Sequence, residues 1–134
     1  MHDEVNDNSL VLQAIAAAGR AYAPYSGYAV GAALLTANGR VYLGVNVENA
    51  SYGATICAER VAVAQAVTSG ERDFVAIAVV SRSAGSPCGI CRQVLAEFGP
   101  QTRVILATLD GQIRLTETIA GLLPNAFTAQ ALTT

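Results

Sequence analysis

The chain has 134 residues and a formal net charge of −2; 52% of its residues are hydrophobic and 13% are charged. This length suits one domain with its own core. The eight basic residues are all arginines, scattered along the chain, which argues against a nucleic acid polymer as partner. The weak charge favours a small neutral substrate, and the apolar excess favours burial of surface between subunits.

Compartment and domain organisation also follow from composition. Residues 1–7 are acidic and polar, unlike a secretory signal, and the longest apolar run, residues 74–80, is too short to cross a bilayer. An odd number of cysteines, three, argues against a disulfide framework. We therefore expect a cytoplasmic protein without membrane contact. We expect a single domain over residues 1–134, with a flexible N-terminus over residues 1–9.

The first half of the chain predicts one helix and a β-hairpin. Caps at Asp7, Asn8 or Ser9 predict a helix over residues 10–21, which Pro24 ends. Strands are predicted over residues 30–36 and 41–48, joined by the turn dipeptide Asn38-Gly39. Alternation along the second strand places Asn46 and Glu48 side by side on one face.

The second half predicts helices that alternate with strands. Helices are expected over residues 57–69, 88–98 and 116–123, strands over residues 74–81, 103–108 and 112–115, and an irregular tail after Pro124. The strand at residues 74–81 is apolar throughout, as is typical of a central strand covered on both faces. The order predicts a three-layer α/β/α domain around a mixed five-stranded sheet.

The three cysteines form the most informative pattern. Cys88 and Cys91 form a Cys-x-x-Cys pair, and Cys57 would bring a zinc ion to three protein ligands. A closed structural zinc site needs a fourth ligand, but there is no further cysteine and the only histidine is His2. The site is therefore expected to be open at one position. With Glu59 two residues from a ligand, this arrangement is typical of metal-assisted hydrolysis.

The spacing of Cys57 and Glu59 makes a geometric demand. Residues i and i+2 of a regular helix point about 200° apart and cannot face one ion. We therefore predict that Cys57 is the N-cap of its helix, with non-helical dihedrals, and that Glu59 lies in the first turn. The same geometry directs the backbone N–H of Ala58 into the pocket, where it can hold a substrate carbonyl.

The charge of the cluster requires a counterweight. Three thiolates on Zn²⁺ leave a net negative charge, which opposes ionisation of a bound water. Arg60, three residues beyond Cys57, is favoured as a hydrogen-bond donor to a ligand sulfur, and Arg92 is the alternative. Either arginine could instead pair with a carboxylate.

A Cys-x-Glu motif upstream of Pro-Cys-x-x-Cys is the signature of zinc deaminases. In its details the chain resembles the cytidine deaminase family, of the small homotetrameric type. The resemblance runs nearly end to end. It rests on Tyr22-Ala-Pro-Tyr-Ser26 with Tyr28, Val30-Gly-Ala-Ala-Leu34, Gly44-Val-Asn-Val-Glu-Asn-Ala-Ser-Tyr52, Cys57-Ala-Glu-Arg60, Pro87-Cys-Gly-Ile-Cys-Arg-Gln93 and Leu122-Leu-Pro-Asn-Ala-Phe127.

The resemblance implies a role for each matched position. Cys57, Cys88 and Cys91 would bind one zinc ion per subunit, and Glu59 would move protons between water, the ring N3 and the departing amine. Asn46 and Glu48 would hold ribose hydroxyls, and the N–H of Ala58 would bind the cytosine O2. Tyr28, at a position where the family commonly has Phe, would lie beside the base. Three residues would reach a neighbouring subunit's site in a homotetramer with active sites at subunit interfaces: Ala50, Tyr52 and Phe127.

The implied activity is deamination of cytidine and deoxycytidine in pyrimidine salvage. The nearest alternative is a deaminase of a cytosine nucleoside antibiotic, similar to blasticidin-S deaminase; Glu48 favours the nucleoside, because that family differs there. A zinc-stabilised binding module without catalysis would need a fourth ligand. An editor of polynucleotides would need a basic groove.

Overall fold

The computed structural model describes residues 5–133. The first helix, α1, spans Asp7–Ala18 and begins where Asn6 Oδ1 accepts a hydrogen bond from the N–H of Ser9 at 2.8 Å. The predicted helix began and ended three residues later, so both bounds were wrong: Asn6 is the cap, and the helix stops before Gly19. Of the stretch predicted to be flexible, residues 1–4 lie outside the described residues, and residues 7–9 form the first turn of α1.

The predicted hairpin is present. Strands β1, Gly31–Thr36, and β2, Val41–Val45, are antiparallel. The N–H of Gly39 donates to the carbonyl of Thr36 at 2.9 Å, so the central residues of the turn are Ala37 and Asn38, and the predicted two-residue Asn38-Gly39 turn is wrong by one residue. Gly39 follows with a left-handed φ of 82°, as in a three-residue hairpin loop. Strand β2 ends three residues earlier than predicted. After Val45 the chain leaves the ladder, and Val47 makes isolated bridges with Tyr22 and Ile56. Asn46 and Glu48 therefore lie just beyond the strand, where the chain turns towards the metal ligands.

The remaining elements follow the predicted order. They are α2 (Ala58–Thr68), β3 (Phe74–Ser81), α3 (Gly89–Ala96), β4 (Arg103–Thr108), β5 (Ile113–Thr118) and α4 (Ile119–Leu122). Two 3₁₀ turns, Tyr52–Ala54 and Ala129–Leu132, were not predicted, and the second lies in the tail that was expected to be irregular.

One segment was predicted in the wrong class. Residues 116–118 were expected to be helical but continue β5, because Thr116 pairs with Ile105 and Thr118 with Arg103 of β4. Thr118 then caps α4, since its Oγ1 accepts a hydrogen bond from the N–H of Gly121 at 3.2 Å. Pairing with a neighbouring strand has outweighed the local helical pattern at these β-branched residues.

The sheet has the order β2-β1-β3-β4-β5. Only β3 and β4 are parallel; the other neighbouring pairs are antiparallel. Helix α1 packs on one face, and α2 and α3 pack on the other, each over its own buried cluster. The prediction of a three-layer α/β domain with a mixed five-stranded sheet is confirmed.

The packing of β2 against α2 fixes the start of that helix. A Cβ on Gly44 would lie 2.2 Å from the carbonyl oxygen of Ala58 and 2.5 Å from the backbone nitrogen of Ala62. Only glycine permits this approach of strand to helix. The first turn of α2, which follows Cys57, is therefore held directly against the sheet.

None of the helices over residues 5–133 is long and apolar enough to span a membrane.

Candidate active site

Three sulfur atoms converge at the N-termini of α2 and α3. The Sγ atoms of Cys57 and Cys88 are 3.8 Å apart, those of Cys88 and Cys91 are 3.5 Å apart, and all three lie within 4.8 Å of one another. The cysteines are free thiols, and Cys91 is fully buried while Cys88 is exposed. The cluster is thus reachable from one side.

These distances fit zinc. A tetrahedral Zn²⁺ with Zn–S bonds of about 2.3 Å places its sulfur ligands about 3.8 Å apart. Zinc also favours thiolates, and a three-cysteine set leaves one position of the tetrahedron for water or substrate. The three-cysteine cluster therefore fits a single zinc ion.

Both helices that meet at the sulfur cluster begin at one of its cysteines. Cys57 is the N-cap of α2, with φ −72° and ψ 152°, and Cys88 is the N-cap of α3, with φ −65° and ψ 167°. The prediction of an extended, non-helical Cys57 is confirmed. The positive ends of two helix dipoles therefore meet at the cluster, where they favour the thiolate form.

The two candidate arginines have different partners. Arg60 Nη2 lies 3.6 Å from Cys57 Sγ. Arg92 instead donates to the carbonyls of Pro87 at 2.8 Å and Leu122 at 2.7 Å. Hydrogen bonding with Cys91, together with Arg60, lowers the pKa of Cys57 to about 5 despite its burial. Arg60 is therefore the arginine in contact with the sulfur cluster.

Glu59 lies in the first turn of α2 and is only 5% exposed. Its burial, with the negative charge of Cys57 as a further cause, raises its pKa to about 7. A carboxyl group that titrates near neutral pH can both accept and donate a proton under ordinary conditions. Such perturbed groups are characteristic of acid–base sites.

Asn46 and Glu48 hold the backbone on the other side of the same pocket. Asn46 Oδ1 accepts from the N–H of Val30 at 2.9 Å, and its Nδ2 donates to the carbonyl of Tyr28 at 2.8 Å. Glu48 Oε1 accepts from the N–H groups of Tyr25 at 2.9 Å and Ser26 at 3.1 Å. Each side chain keeps further hydrogen-bonding capacity for a ligand.

The pKa of Glu48 is shifted in the opposite direction to that of Glu59. The hydroxyl of Ser26 donates to Glu48 Oε2, and this bond, aided by the backbone N–H groups, lowers the pKa of Glu48. Glu48 is therefore an ionised acceptor at neutral pH.

Tyr28 lies at the pocket wall with its hydroxyl fully engaged. Its Oη donates to Ser81 Oγ at 2.7 Å and also bonds Ser83 Oγ, while Arg82 lies over the ring at 4.8 Å. Burial raises the pKa of Tyr28, but the bonds with Ser81 and Ser83 and the charge of Arg82 outweigh it and lower that pKa. The hydroxyl that this position carries has thus found partners within the protein.

One cavity of about 340 Å³ collects most of the predicted site residues. Its lining includes Tyr28, Asn46, Glu48, Cys57, Ala58, Glu59 and Cys88. Ala58 is the first residue of α2, so its N–H has no acceptor within the helix. The cavity therefore combines two cysteines of the sulfur cluster, the acid Glu59, the backbone N–H of Ala58 and polar side chains.

Five predicted residues do not line this cavity: Cys91 and Arg60 belong to the adjoining sulfur cluster, and three others lie elsewhere. Ala50 is exposed, Tyr52 is 76% exposed in an adjoining groove that shares Ser26, Glu48 and Thr55 with the cavity, and Phe127 is 61% exposed. The carbonyl of Phe127 accepts a hydrogen bond from Gln93 Nε2 at 2.8 Å, which holds the tail on α3. These three side chains face outward.

The sequence reasoning missed several lining residues: Ser26, Val30, Thr55, Val79, Ser81, Gly85 and Ser86. Ser26 and Val30 lie within motifs that had been singled out, so their neighbourhood was signalled although their roles were not. Ser81 ends the predicted strand at residues 74–81, but nothing in the pattern indicated that its side chain lines a cavity. Gly85 and Ser86 lie in a short segment without periodicity before Pro87, which carried no signal.

Known proteins match this chain over nearly its whole length. Residues 4–108 match the family model for the cytidine and deoxycytidylate deaminase zinc-binding region. The cytidine deaminase of Halalkalibacterium halodurans is 52% identical over 124 residues, covering 90% of this chain and 93% of that protein. The crystal structure of cytidine deaminase from Burkholderia pseudomallei superposes with a TM-score of 0.86 at 48% identity, covering 91% of this chain and 99% of that one.

A blasticidin-S deaminase is more distant. The enzyme of Bacillus cereus is 33% identical over 109 residues, which is 74% of this chain and 76% of that protein. By its zinc cluster, its fold and these matches, the chain belongs to the cytidine and deoxycytidylate deaminase family.

Proposed function

We propose that this protein is an enzyme that hydrolyses cytidine and deoxycytidine to uridine and deoxyuridine with release of ammonia. One observation carries the proposal: a buried acid with a pKa of about 7 borders an open three-cysteine zinc site in a cavity that also contains an ionised carboxylate. The first part suits hydrolysis at a ring carbon, and the second suits recognition of a sugar. The cytidine deaminases with 52% and 48% identity support the same substrate class.

The metal and Glu59 divide the chemistry between them. Zinc held by Cys57, Cys88 and Cys91 supplies a Lewis acid that makes water acidic enough to act as a nucleophile at neutral pH. Glu59 would accept one proton from the attacking water and deliver it to the ring N3; it would then accept the remaining proton of the hydroxyl added to the ring carbon and pass it to the departing amine. A pKa of about 7 suits each transfer, because neither protonation state is strongly disfavoured.

Arg60 adjusts the charge of the cluster. Three thiolates outweigh the two positive charges of zinc, and this excess opposes deprotonation of water. The guanidinium of Arg60, 3.6 Å from Cys57 Sγ, draws charge away from that ligand. We assign Arg60 this supporting role and leave Arg92 as a brace between α3 and the tail.

The substrate is held by groups that line the same cavity. The N–H of Ala58, at the positive end of α2, is placed to bind the cytosine O2. Asn46 and Glu48 bind ribose hydroxyls with the capacity left after their backbone contacts, and the ring of Tyr28 lies beside the base.

We further propose a homotetramer in which each site is completed by a neighbour. Tyr52 and Phe127 are 76% and 61% exposed in the single chain, as expected of aromatic side chains that become buried against a partner subunit. Ala50, which is exposed and lies two residues before Tyr52, would reach towards the ribose of the neighbouring site. The single domain is taken to act in the cytoplasm, in pyrimidine salvage, where reducing conditions keep the three thiols available for zinc.

A panel of substrates tests the proposal. Purified protein with measured zinc content is assayed by absorbance on cytidine, deoxycytidine, cytosine and blasticidin S. The two nucleosides should be turned over. Cytosine should react poorly, because it offers Glu48 no ribose hydroxyl to bind, and blasticidin S should be turned over more slowly than cytidine. Turnover of blasticidin S above that of cytidine would favour the antibiotic deaminase instead.

A variant that lacks one cysteine ligand tests the role of the metal. Cys88→Ala removes one of the three sulfurs, so it should lose zinc, activity and part of its stability together. A zinc-free Cys88→Ala protein that still deaminates cytidine would refute the metal's role.

A further inference from the structure

A short loop at the pocket is held by side-chain hydroxyls. The loop, residues 81–86, joins the end of β3 to Pro87 and the metal ligand Cys88, and Ser81, Gly85 and Ser86 line the cavity. Beyond Ser81, which ends β3, the loop belongs to neither a helix nor a strand; Ala84 adopts a left-handed φ of 54°, and its N–H donates to the carbonyl of Ser81 at 3.3 Å. This backbone hydrogen bond fixes one turn, and side-chain contacts hold the rest of the loop.

Ser81 is the centre of these contacts. Its side chain is 2% exposed, and its Oγ accepts from the N–H of Gly85 at 3.1 Å and from the hydroxyl of Tyr28 at 2.7 Å. The Tyr28 hydroxyl also bonds Ser83 Oγ. One phenol oxygen thus connects to two serines of the loop, across 53 and 55 positions of sequence.

Further contacts press the loop and the tyrosine together. A Cβ on Gly85 would lie 3.1 Å from Tyr28 Oη, so the loop backbone passes directly over the phenol oxygen. Arg82 lies over the Tyr28 ring at 4.8 Å, and its Nη1 donates to the carbonyl of Gly27 at 3.4 Å. The loop is therefore fastened to the segment around Tyr28 from both sides.

We propose that Tyr28 is a positioning residue whose hydroxyl fixes the 81–86 loop in the shape that the substrate requires. The proposal rests on the proposed function for its kinetic consequence. Without the hydroxyl the loop samples other conformations, so only a fraction of molecules is competent to bind. The apparent affinity falls in proportion to that fraction, while catalysis from the bound state, which depends on zinc and Glu59, is retained.

The first test compares two tyrosines that lose the same atom. In Tyr28→Phe the KM for cytidine should rise about three- to tenfold, with kcat changed less than about twofold and the zinc content unchanged. The matched control is Tyr42→Phe, which removes a hydroxyl that bonds Glu71 Oε2 at 3.1 Å, outside the cavity. Its KM should equal that of the unaltered protein. An unchanged KM in Tyr28→Phe, or a loss of zinc or kcat, would overturn the proposal.

A second variant approaches the same contact from the loop. Gly85→Ala places a methyl group against the pinned Tyr28 oxygen, so it should also raise KM. In the double variant Tyr28→Phe with Gly85→Ala that oxygen is absent, so the alanine should add little further effect. Independent, multiplying effects on KM would contradict a shared mechanism.

Hydrogen exchange separates this proposal from the proposed function. In zinc-loaded protein without substrate, amides of residues 81–86 should exchange faster in Tyr28→Phe than in Tyr42→Phe. Equal exchange in the two variants would overturn the positioning role. If the unaltered protein failed to deaminate cytidine while the exchange difference was present, the proposed substrate would be wrong and the loop contact would stand.

Discussion

Glu59 and Glu48 line one cavity and have opposite environments. Glu59 is 5% exposed in the first turn of α2, and burial raises its pKa to about 7. Glu48 lies in the open chain beyond β2, and the hydroxyl of Ser26 lowers its pKa. The same functional group is thus given two charge states near neutral pH.

The difference teaches which carboxylate does which work. A group that titrates near neutral pH can carry protons, whereas a group that stays ionised can only accept hydrogen bonds. Donors decide between the two: Glu48 has three hydrogen bonds from residues 25 and 26, whereas Glu59 lies beside the negative Cys57. These environments support the proposed roles of Glu59 as the proton carrier and Glu48 as the acceptor that binds the sugar.

The largest expected effect comes from removing the proton carrier. Glu59→Gln keeps the shape of the side chain but cannot accept or donate the proton, so kcat should fall about 10²- to 10⁴-fold. KM should change little, because the amide of the glutamine can still donate a hydrogen bond to the ring N3. Steady-state kinetics on cytidine measure both quantities.

The zinc content is the control for Glu59→Gln. The three sulfur ligands are untouched, so the variant should bind one zinc per chain as the unaltered protein does. Normal turnover in a zinc-loaded Glu59→Gln protein would remove Glu59 from the mechanism and end the contrast with Glu48.

The second effect comes from removing the fixed acceptor. Glu48→Ala should raise the KM for cytidine about 10- to 100-fold, since hydrogen bonds between an ionised acceptor and hydroxyl groups are among the stronger ones. The reaction of the bare base, cytosine, should be nearly unaffected. Measuring both substrates isolates the sugar contact.

A matched variant separates charge from shape at Glu48. Glu48→Gln keeps one carbonyl acceptor and loses the charge, so its KM should lie between those of the unaltered protein and Glu48→Ala. Equal losses on cytidine and cytosine in Glu48→Ala would show that Glu48 supports the fold of residues 24–27 and does not bind ribose.

The metal side of the cavity could be predicted because its residues are close in sequence. Cys57 and Glu59 are two residues apart and can face one ion only if the helix begins between them, so the extended dihedrals of Cys57 could be predicted. The hairpin could be predicted for a similar reason, because Asn38 and Gly39 both lie in its turn. Local constraints of this kind are legible in a single sequence.

The hydroxyl contacts could not be predicted because they join distant segments. Ser26 meets Glu48 across 22 positions, and Tyr28 meets Ser81 across 53. Neither serine lies in a periodic pattern. Residues 116–118 were mistaken for a helix for a related reason: the strand partner that determines their conformation, β4, lies elsewhere in the chain. Ala50, Tyr52 and Phe127 pose a further problem, since their expected partners belong to another copy.

The smallest expected effect probes the cause of the contrast. Ser26→Ala removes the hydroxyl that lowers the pKa of Glu48, so this pKa should rise towards its ordinary value. Glu48 remains ionised at pH 7, so the KM for cytidine there should rise only about two- to threefold. The part of the affinity for cytidine that ionised Glu48 provides is lost as pH falls through the pKa of Glu48. As pH falls towards and below the ordinary glutamate value of 4.5, the rise in KM should therefore begin at a higher pH in Ser26→Ala than in the unaltered protein.

Ser69→Ala is the control for this last variant, because Ser69 caps the far end of α2. Comparing KM and not kcat keeps any acid-induced loss of zinc out of the comparison. An acid limb that coincides in Ser26→Ala and Ser69→Ala would mean that Ser26 does not set the charge of Glu48. The backbone N–H groups of Tyr25 and Ser26 alone would then account for the difference between the two carboxylates.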